Sequence, residues 1–367
     1  MSTPAPALTI RALQVTGVEV PMTYALGTSR ARLTSAPLLL IDLVTEEGVT
    51  GRAYLFCYMR AAAPAIAKII EQVESAVKGD PVTPLDLWRK LATGFALIGV
   101  QGLVRMAMAG LDIAAWDALA IAAGLPLARL VGGRPKPIRA YNSCGLGLME
   151  EPEAVADEAE KLVTCGFRAI KLRLGYATTQ RDLAVVHAVR HRLGDGIGLM
   201  VDYNQALSVA QALERGRMLD AENILWLEEP IRHDDYAGSA RLARDLETPI
   251  QIGENFCDTS AMARALAAGT SDFVMPDLAR IGGVSGWLHA TALAAVHDIE
   301  MSSHLFPEVS AHLLAATPTC HFLEYVDWAD KILQHPLRIV DGCAMVTDQP
   351  GNGLAWDPAA VERYRMR

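Results

Sequence analysis

Residues 37–45 (PLLLIDLVT) and 51–57 form two apolar runs around the turn EEG, a pattern that predicts a β-hairpin. Residues 9–19 alternate weakly and predict a strand before it. Apolar positions then recur at helical spacing over 61–77, 85–96 and 102–123. Gly132-Gly133-Arg134-Pro135 breaks the chain. Beyond it the rhythm changes. Short apolar runs at 138–141, 169–174, 198–202, 225–228, 250–253, 273–276, 300–303 and 322–324 alternate with helical stretches. Eight such units fit a (β/α)8 TIM-like barrel better than an open doubly wound sheet. No GxGxxG follows a strand, which argues against dinucleotide binding. The expected fold class is therefore α/β. It divides into an α+β part over 1–133, a barrel over 134–338, and a tail over 339–367 whose turn chemistry (DQPGNG) returns it to the first part.

Composition narrows the function classes. Hydrophobic residues make up 51% of the 367 positions and charged residues 20%, which excludes disorder. The net charge of −9 argues against nucleic-acid binding, because no basic excess faces the phosphates. Six cysteines stand apart with no CxxC pair, so they read as buried small hydrophobes in a reduced, cytoplasmic protein. The start MSTPAPALTIRALQ lacks a basic segment followed by an apolar run, so a signal peptide is not expected. The longest uncharged apolar stretch, 91–104, is too short to span a bilayer. The Ala-rich segment after it, interrupted by Asp112 and Asp117, reads as a buried helix.

The chemistry lies at the strand ends. From the second barrel strand onward each unit ends in a polar or charged residue: Lys171, Asp202, Glu228, Glu254, Asp277, His304 and Glu324. Successive spacings of 31, 26, 26, 23, 27 and 20 are each about one βα unit. Closing the barrel gathers them on its C-terminal rim, where barrel enzymes place their sites. Asp202, Glu228 and Glu254 then crowd on adjacent strands, which is unfavourable unless a cation sits among them. One such carboxylate alone is ordinarily a helix cap; three in register point to a hard ion held by oxygen, Mg²⁺ rather than Zn²⁺.

Alternation in AIKLRLG puts Lys171 and Arg173 on the inward face and Leu172 and Leu174 on the outward one. Burial beside another cation would lower the Lys171 pKa toward that of a general base. Asp277 lies one unit before His304 and can fix its tautomer, making a dyad. Glu324 can donate a hydrogen bond to a substrate oxygen when protonated. Together the set suits removal of a proton α to a carboxylate. The ion and nearby donors would stabilise the enediolate that forms. A metal-holding barrel without catalysis is a different class, against which Lys171, His304 and Asp277 argue. No nucleophile motif supports a hydrolase.

These residues lie in a series of motifs: PLLLIDLVTEEGVTGRAYLFCY, GFRAIKLRLGY, MVDYNQAL, WLEEP, IGEN, MPDLARIGGVSGW and MSSHLFPEVSAHLLAATPT. In order and spacing the chain resembles the enolase superfamily, and within it the mandelate racemase subgroup (mandelate racemase/muconate lactonizing enzyme-like proteins), over nearly its whole length. The resemblance implies an N-terminal α+β capping domain closing over the barrel, with a substrate-closing loop at 24–33. It implies Mg²⁺, with Mn²⁺ a substitute, on Asp202, Glu228 and Glu254. It further implies an Asp277–His304 dyad, Glu324 as electrophilic acid, Lys171 as the first lysine of a Lys-x-Lys motif, a small carboxylate substrate and a homo-oligomer, octamer or dimer. Ser143, Asn204, Arg30 and Tyr58 are assigned to substrate binding.

The chain departs from the subgroup at Arg173, where the second, acid/base lysine would stand. A guanidinium is very hard to deprotonate. The motifs as a whole favour mandelate-racemase-like 1,1-proton transfer on a 2-hydroxy carboxylate. Either Arg173 serves unusually as an acid/base, Lys171 takes over, or His304 does one-sided chemistry, which suits the alternative, dehydration of an acid sugar. Arg30 and Arg32 also replace smaller or apolar residues in the closing loop. Buried there, a guanidinium would require a polar or anionic distal end on the substrate.

Overall fold

In the computed structural model, which describes residues 7–367, the N-terminal part is a three-stranded antiparallel sheet, β1 (Ile10–Gly27), β2 (Arg32–Thr45) and β3 (Thr50–Phe56), in the order β1-β2-β3. The reading of the amino terminus falls partly on residues 1–6, outside the described residues. β1 and β2 are longer than the hydrophobic pattern implied. Leu26 pairs with Leu33 and Gly27 with Arg32, so the expected loop 24–33 is mostly paired ribbon, leaving a tip at 28–31. A two-strand ribbon projecting from a sheet has little apolar periodicity to betray it. Helices α1 (Ala62–Val77), α2 (Pro84–Gly94) and α3 (Gly102–Ala122) cover one face, and α4 (Leu127–Leu130) leads out. α3 lies directly on β3: a side chain at Gly51 would run into the Ala114 carbonyl at 2.0 Å.

The barrel strands are β4 (Pro137–Asn142), β5 (Ala169–Arg173), β6 (Gly198–Asp202), β7 (Ile224–Glu228), β8 (Ile250–Ile252), β9 (Phe273–Val274), β10 (Glu300–Met301) and β11 (Leu323–Tyr325). They are parallel neighbours in chain order, and β11 pairs back on β4. The last gap, between β10 and β11, closes through Met301 N–H to the Thr319 carbonyl (2.8 Å), His321 N–H to Met301 (3.0 Å) and Ser303 N–H to Phe322 (3.0 Å). Helices α5 (Pro152–Val163), α6 (Thr179–Leu193), α7 (Val209–Leu219), α8 (Tyr236–Asp245), α9 (Thr259–Ala268), α10 (Leu278–Ile281), α11 (Gly283–Val296) and α12 (Pro307–Ala316) lie between the strands. Thr178, Ser208, Asp235, Asp258 and Asp277 cap helix starts with their side chains, satisfying N–H groups that have no partner within the helix.

Each strand's two-residue period stacks one layer on another inside the barrel. Tyr141, Ala169, Met200, Trp226 and Phe322 form a buried apolar cluster of their own. Two residues further along the same strands stand Ser143, Lys171, Asp202, Glu228 and Glu324. The outward Leu172 and Leu174 join the larger core shared with the helices.

The tail differs from a simple return to the first part. β12 (Ile339–Val340) and β13 (Cys343–Met345) first form a hairpin paired antiparallel with β4. Only then does the chain reach the N-terminal part, where Leu127 N–H bonds the Gly351 carbonyl (2.7 Å). After α13 (Pro358–Tyr364), Met366 N–H bonds Gly17 (2.9 Å). Backbone pairing at a strand edge leaves no side-chain periodicity in the sequence. The cysteines are all free, but only Cys57 and Cys144 are buried; Cys165 is exposed, because it follows the last turn of α5. Among the described residues no helix is long and apolar enough to cross a membrane.

Two buried aspartates on α3 tie the N-terminal part to the rest. Asp112 accepts from Ser285 N–H (2.9 Å) and Oγ–H (2.5 Å), and Asp117 from Arg52 N–H (2.7 Å) and Asn352 N–H (2.6 Å). Burial pushes both carboxyls up to about 7 despite these donors. The folded state then holds protons that the unfolded chain has lost between about pH 4 and 7, so this contribution to stability falls as pH rises through that window. Full ionisation costs on the order of 4 kcal/mol per carboxyl. Asp112→Asn should therefore flatten the fall of Tm between pH 5 and 8 in thermal melts. Equal slopes for variant and wild type would show that Asp112 is ionised throughout.

Candidate active site

The rim layer puts an excess of buried negative charge around one ammonium. Lys171 Nζ lies 2.5 Å from Glu228 Oε1, 2.8 Å from Glu324 Oε1 and 3.7 Å from Asp202 Oδ2, with all four side chains almost fully buried. One ligand oxygen each from Asp202, Glu228 and Glu254 can be chosen within 4.8 Å of one another. The backbone sets this up. Asp202 pairs in register with Glu228 across β6 and β7, and Gly253, at φ 134°, turns the chain so that Glu254 faces the others. A Cβ at Gly253 would meet Phe256 at 2.8 Å and the Met275 amide at 2.9 Å.

Each carboxylate is held from behind. Asn204 donates to both oxygens of Asp202, by its backbone N–H (2.7 Å) and its Nδ2 (2.9 Å). Trp226 Nε1 donates to Glu228 Oε2 (3.0 Å), and Asn255 Nδ2 to Glu254 Oε1 (3.0 Å). Burial pushes Glu228 up to about 8; Lys171 opposes this, but Asp202, Glu324 and Glu254 add repulsion. Burial also raises Asp202 beyond what Lys171 offsets. A site short of positive charge, with oxygen ligands only, fits a hard divalent cation.

His304 stands at the edge of this set. Its Nδ1 is 2.8 Å from Asp277 Oδ2, and its Nε2 is 3.2 Å from Glu254 Oε2 and 3.9 Å from Glu324 Oε2. Asp277 also caps α10, its Oδ1 accepting from Arg280 N–H (2.8 Å), so one carboxylate starts the helix and orients the imidazole. Burial alone would lower the imidazole pKa, but Glu254, then Glu324 and Asp277, outweigh it and raise it well above its ordinary value. The residues after it, Leu305 and Phe306, both have left-handed backbones (φ 55° and 50°), and the Leu305 N–H bonds Glu324 Oε2 (2.8 Å).

Three groups singled out in the sequence have partners that the sequence did not indicate. Lys171 sits among carboxylates: burial opposes its charge, but Glu228, Glu324 and Asp202, with no cation among them, raise its pKa well above the usual value. Glu324 is paired: burial would raise its pKa, yet Lys171 and His304, with bonds from Lys171 and Leu305, lower it to about 2. Arg30 does not present a free guanidinium to a ligand. It donates through Nε to the Asn204 carbonyl (3.3 Å) and through Nη2 to that of Gln205, while Arg32 is exposed.

Arg173 is buried and fixed. Nη1 donates to the Gly145 carbonyl (2.7 Å) and Nη2 to Ser143 Oγ (2.9 Å), whose hydroxyl donates to Glu324 Oε1 (2.7 Å). Its Nε, with Tyr58 Oη and Asn204 Oδ1, is buried without a partner. Tyr58, at φ 60°, stacks on Phe56 (4.6 Å between centroids) under the Arg280 guanidinium (4.7 Å). Arg280 and Asn255 went unnoticed in the sequence. Arg280 Nη1 bonds Asn255 Oδ1 (2.5 Å) and the Glu254 carbonyl (3.0 Å), and Asn255 also bonds Glu229. Their only signal was proximity to strand-end acids.

A divalent cation should stabilise the fold in thermal melts by about 2.7 kcal/mol at a hundredfold its Kd. Glu228→Gln should lose most of that gain. Equal stabilisation of both proteins would place the ion elsewhere.

Residues 9–132 match the mandelate racemase/muconate lactonizing enzyme N-terminal domain, and residues 154–360 match the enolase C-terminal domain-like family. A curated relative, the L-talarate/galactarate dehydratase of Salmonella typhimurium, is 32% identical over 327 residues, 88% of this chain and 81% of that protein. Others at lower identity are named arabinonate, D-gluconate and D-xylonate dehydratases. An enolase from the alpha proteobacterium BAL199, solved with bound Mg, is 42% identical, with a TM-score of 0.95 over 98% of this chain and 100% of its own. An enolase from Bradyrhizobium, solved with magnesium and mandelic acid, is 41% identical, with a TM-score of 0.93 over 99% of each chain. The chain belongs to the mandelate racemase/muconate lactonizing enzyme family of the enolase superfamily, with its N-terminal capping domain and C-terminal (β/α)8 barrel.

Proposed function

We propose that the protein is a Mg²⁺-dependent dehydratase of acid sugars, with His304 as its one proton-moving group. The observation that carries this is the state of the rim cations. Arg173 commits both Nη groups to Gly145 and Ser143, and Lys171 is an ion-paired ammonium. Arg173 cannot take a proton at neutral pH, and Lys171 Nζ is held among Glu228, Glu324 and Asp202. His304 Nε2, oriented through Asp277, remains; a cation on Glu254 would offset the carboxylate that most raises the imidazole pKa and so free it to act as a base.

Asp202, Glu228 and Glu254 would hold the ion, whose positive charge makes the α-proton of a bound carboxylate more acidic. His304 Nε2 takes that proton, and the electron pair moves into an enediolate. Lys171 and the Ser143 hydroxyl donate toward the negative charge. The C–O bond at the β-carbon then breaks, and the same imidazolium gives its proton to the departing hydroxyl, releasing water. The enol product tautomerises to a 2-keto-3-deoxy acid. The unpartnered Arg173 Nε, Tyr58 Oη and Asn204 Oδ1 suit a substrate with several hydroxyls. Relatives named as acid-sugar dehydratases support this outcome over racemisation.

A second reading, 1,1-proton transfer on a 2-hydroxy acid, is favoured by the mandelic acid bound to the Bradyrhizobium relative. It needs a second base, which Arg173 does not supply.

Screening aldonic and aldaric acids with Mg²⁺ for keto-acid formation, alongside polarimetry, separates the two. Keto acid without loss of optical purity in the recovered substrate is expected. His304→Asn should lose on the order of 10²-fold or more in rate. Racemisation of a 2-hydroxy acid with no keto acid from any sugar acid would establish the second reading instead.

A further inference from the structure

The tip of the β1–β2 ribbon reaches across to the loop that follows Asp202, the last residue of β6 and a residue of the metal site. Ser29 Oγ donates to the Tyr203 carbonyl (3.2 Å). Arg30 donates through Nε to Asn204 (3.3 Å) and through Nη2 to Gln205. Three consecutive carbonyls of one loop are thus taken by two consecutive side chains of the other domain. The contact also bears on the loop's shape. Asn204 and Gln205 both have left-handed backbones, φ 46° and 62°, a conformation that costs a residue such as Gln205 free energy unless its surroundings hold it. A guanidinium fork matches two neighbouring carbonyls, and charge-assisted bonds are the stronger kind.

Asn204 links this contact to the site. Its backbone N–H and Nδ2 hold both Asp202 oxygens and so fix the rotation of the carboxylate. We infer that Arg30 is a positioning residue that couples the seating of the capping-domain ribbon to the orientation of Asp202, so that metal binding and ribbon closure favour each other. This rests on the metal reading of Asp202, Glu228 and Glu254. It is distinct from substrate recognition by Arg30, whose guanidinium is already engaged. Coupling between sites is reciprocal: if closure improves ion affinity, the ion must stabilise closure by the same factor.

Mn²⁺ binding followed by electron paramagnetic resonance, together with hydrogen exchange of residues 24–33 with and without Mn²⁺, tests both directions. Wild type should bind Mn²⁺ and slow exchange of the ribbon on binding. Arg30→Ala should bind Mn²⁺ roughly fivefold or more weakly and lose the metal-dependent slowing. Arg30→Lys, which keeps one charged donor, should recover part of both effects, which a general loss of folding would not. Unchanged Mn²⁺ affinity and unchanged metal-dependent exchange in Arg30→Ala would overturn the coupling alone. Wild type that binds no Mn²⁺ would overturn the metal reading and the coupling with it.

Discussion

The structure turns on a charge imbalance: Asp202, Glu228, Glu254 and Glu324 crowd one barrel mouth around the ammonium of Lys171 and the imidazole of His304. Buried charge is tolerated only when paired and hydrogen-bonded, and removing one partner of such a set typically costs about 3–5 kcal/mol. The fold meets this demand from below and behind. The apolar layer of Tyr141, Met200, Trp226 and Phe322 keeps water out from beneath, and Trp226 also sends its indole N–H up to Glu228. Asn204 and Asn255 hold Asp202 and Glu254. What the protein leaves unbalanced is net negative charge, which selects a cation without any further recognition element.

The (β/α)8 organisation was legible because buried parallel strands read as short apolar runs at a constant interval, and because the rim residues recur with that interval. The clustering of three carboxylates was legible for the same reason: Asp202, Glu228 and Glu254 occupy equivalent places in consecutive units. The pairing of the rim charges was not. Lys171 and Glu324 lie 153 positions apart, and their mutual neutralisation is a fact of packing that no local pattern carries. The long β1–β2 ribbon and the β12–β13 hairpin escaped notice as well. Both are made by backbone pairing at edges, where side chains need not alternate cleanly.

The proposed function draws on groups whose own bonding is incomplete. Arg173 Nε, Tyr58 Oη and Asn204 Oδ1 are buried without a partner from the protein, and a buried polar group left unpaired costs about 1–3 kcal/mol. Two donors and one acceptor of this kind, from β5, the end of β3 and the loop after β6, are a poor match for an aryl ring and a good match for hydroxyls. On the proposed reading, leaving them unpaired would favour hydroxylated substrates, because an analogue lacking the matching hydroxyl keeps the penalty in place.

The same logic bears on the proton inventory. Replacing a lysine with a guanidinium at position 173 preserves a positive charge beside Ser143 and Glu324 while removing a titrating group. Such a site can still stabilise an enediolate, since that requires only fixed donors and charge. It cannot return a proton from the guanidinium side. In the proposed reaction the intermediate would then either be reprotonated by His304, regenerating the substrate, or lose a β-substituent with His304 as the acid. A substrate carrying a β-hydroxyl makes the second course available, and one without it, such as mandelate, does not. On the proposed mechanism, the arginine would tie the outcome of the reaction to the substrate's own leaving group.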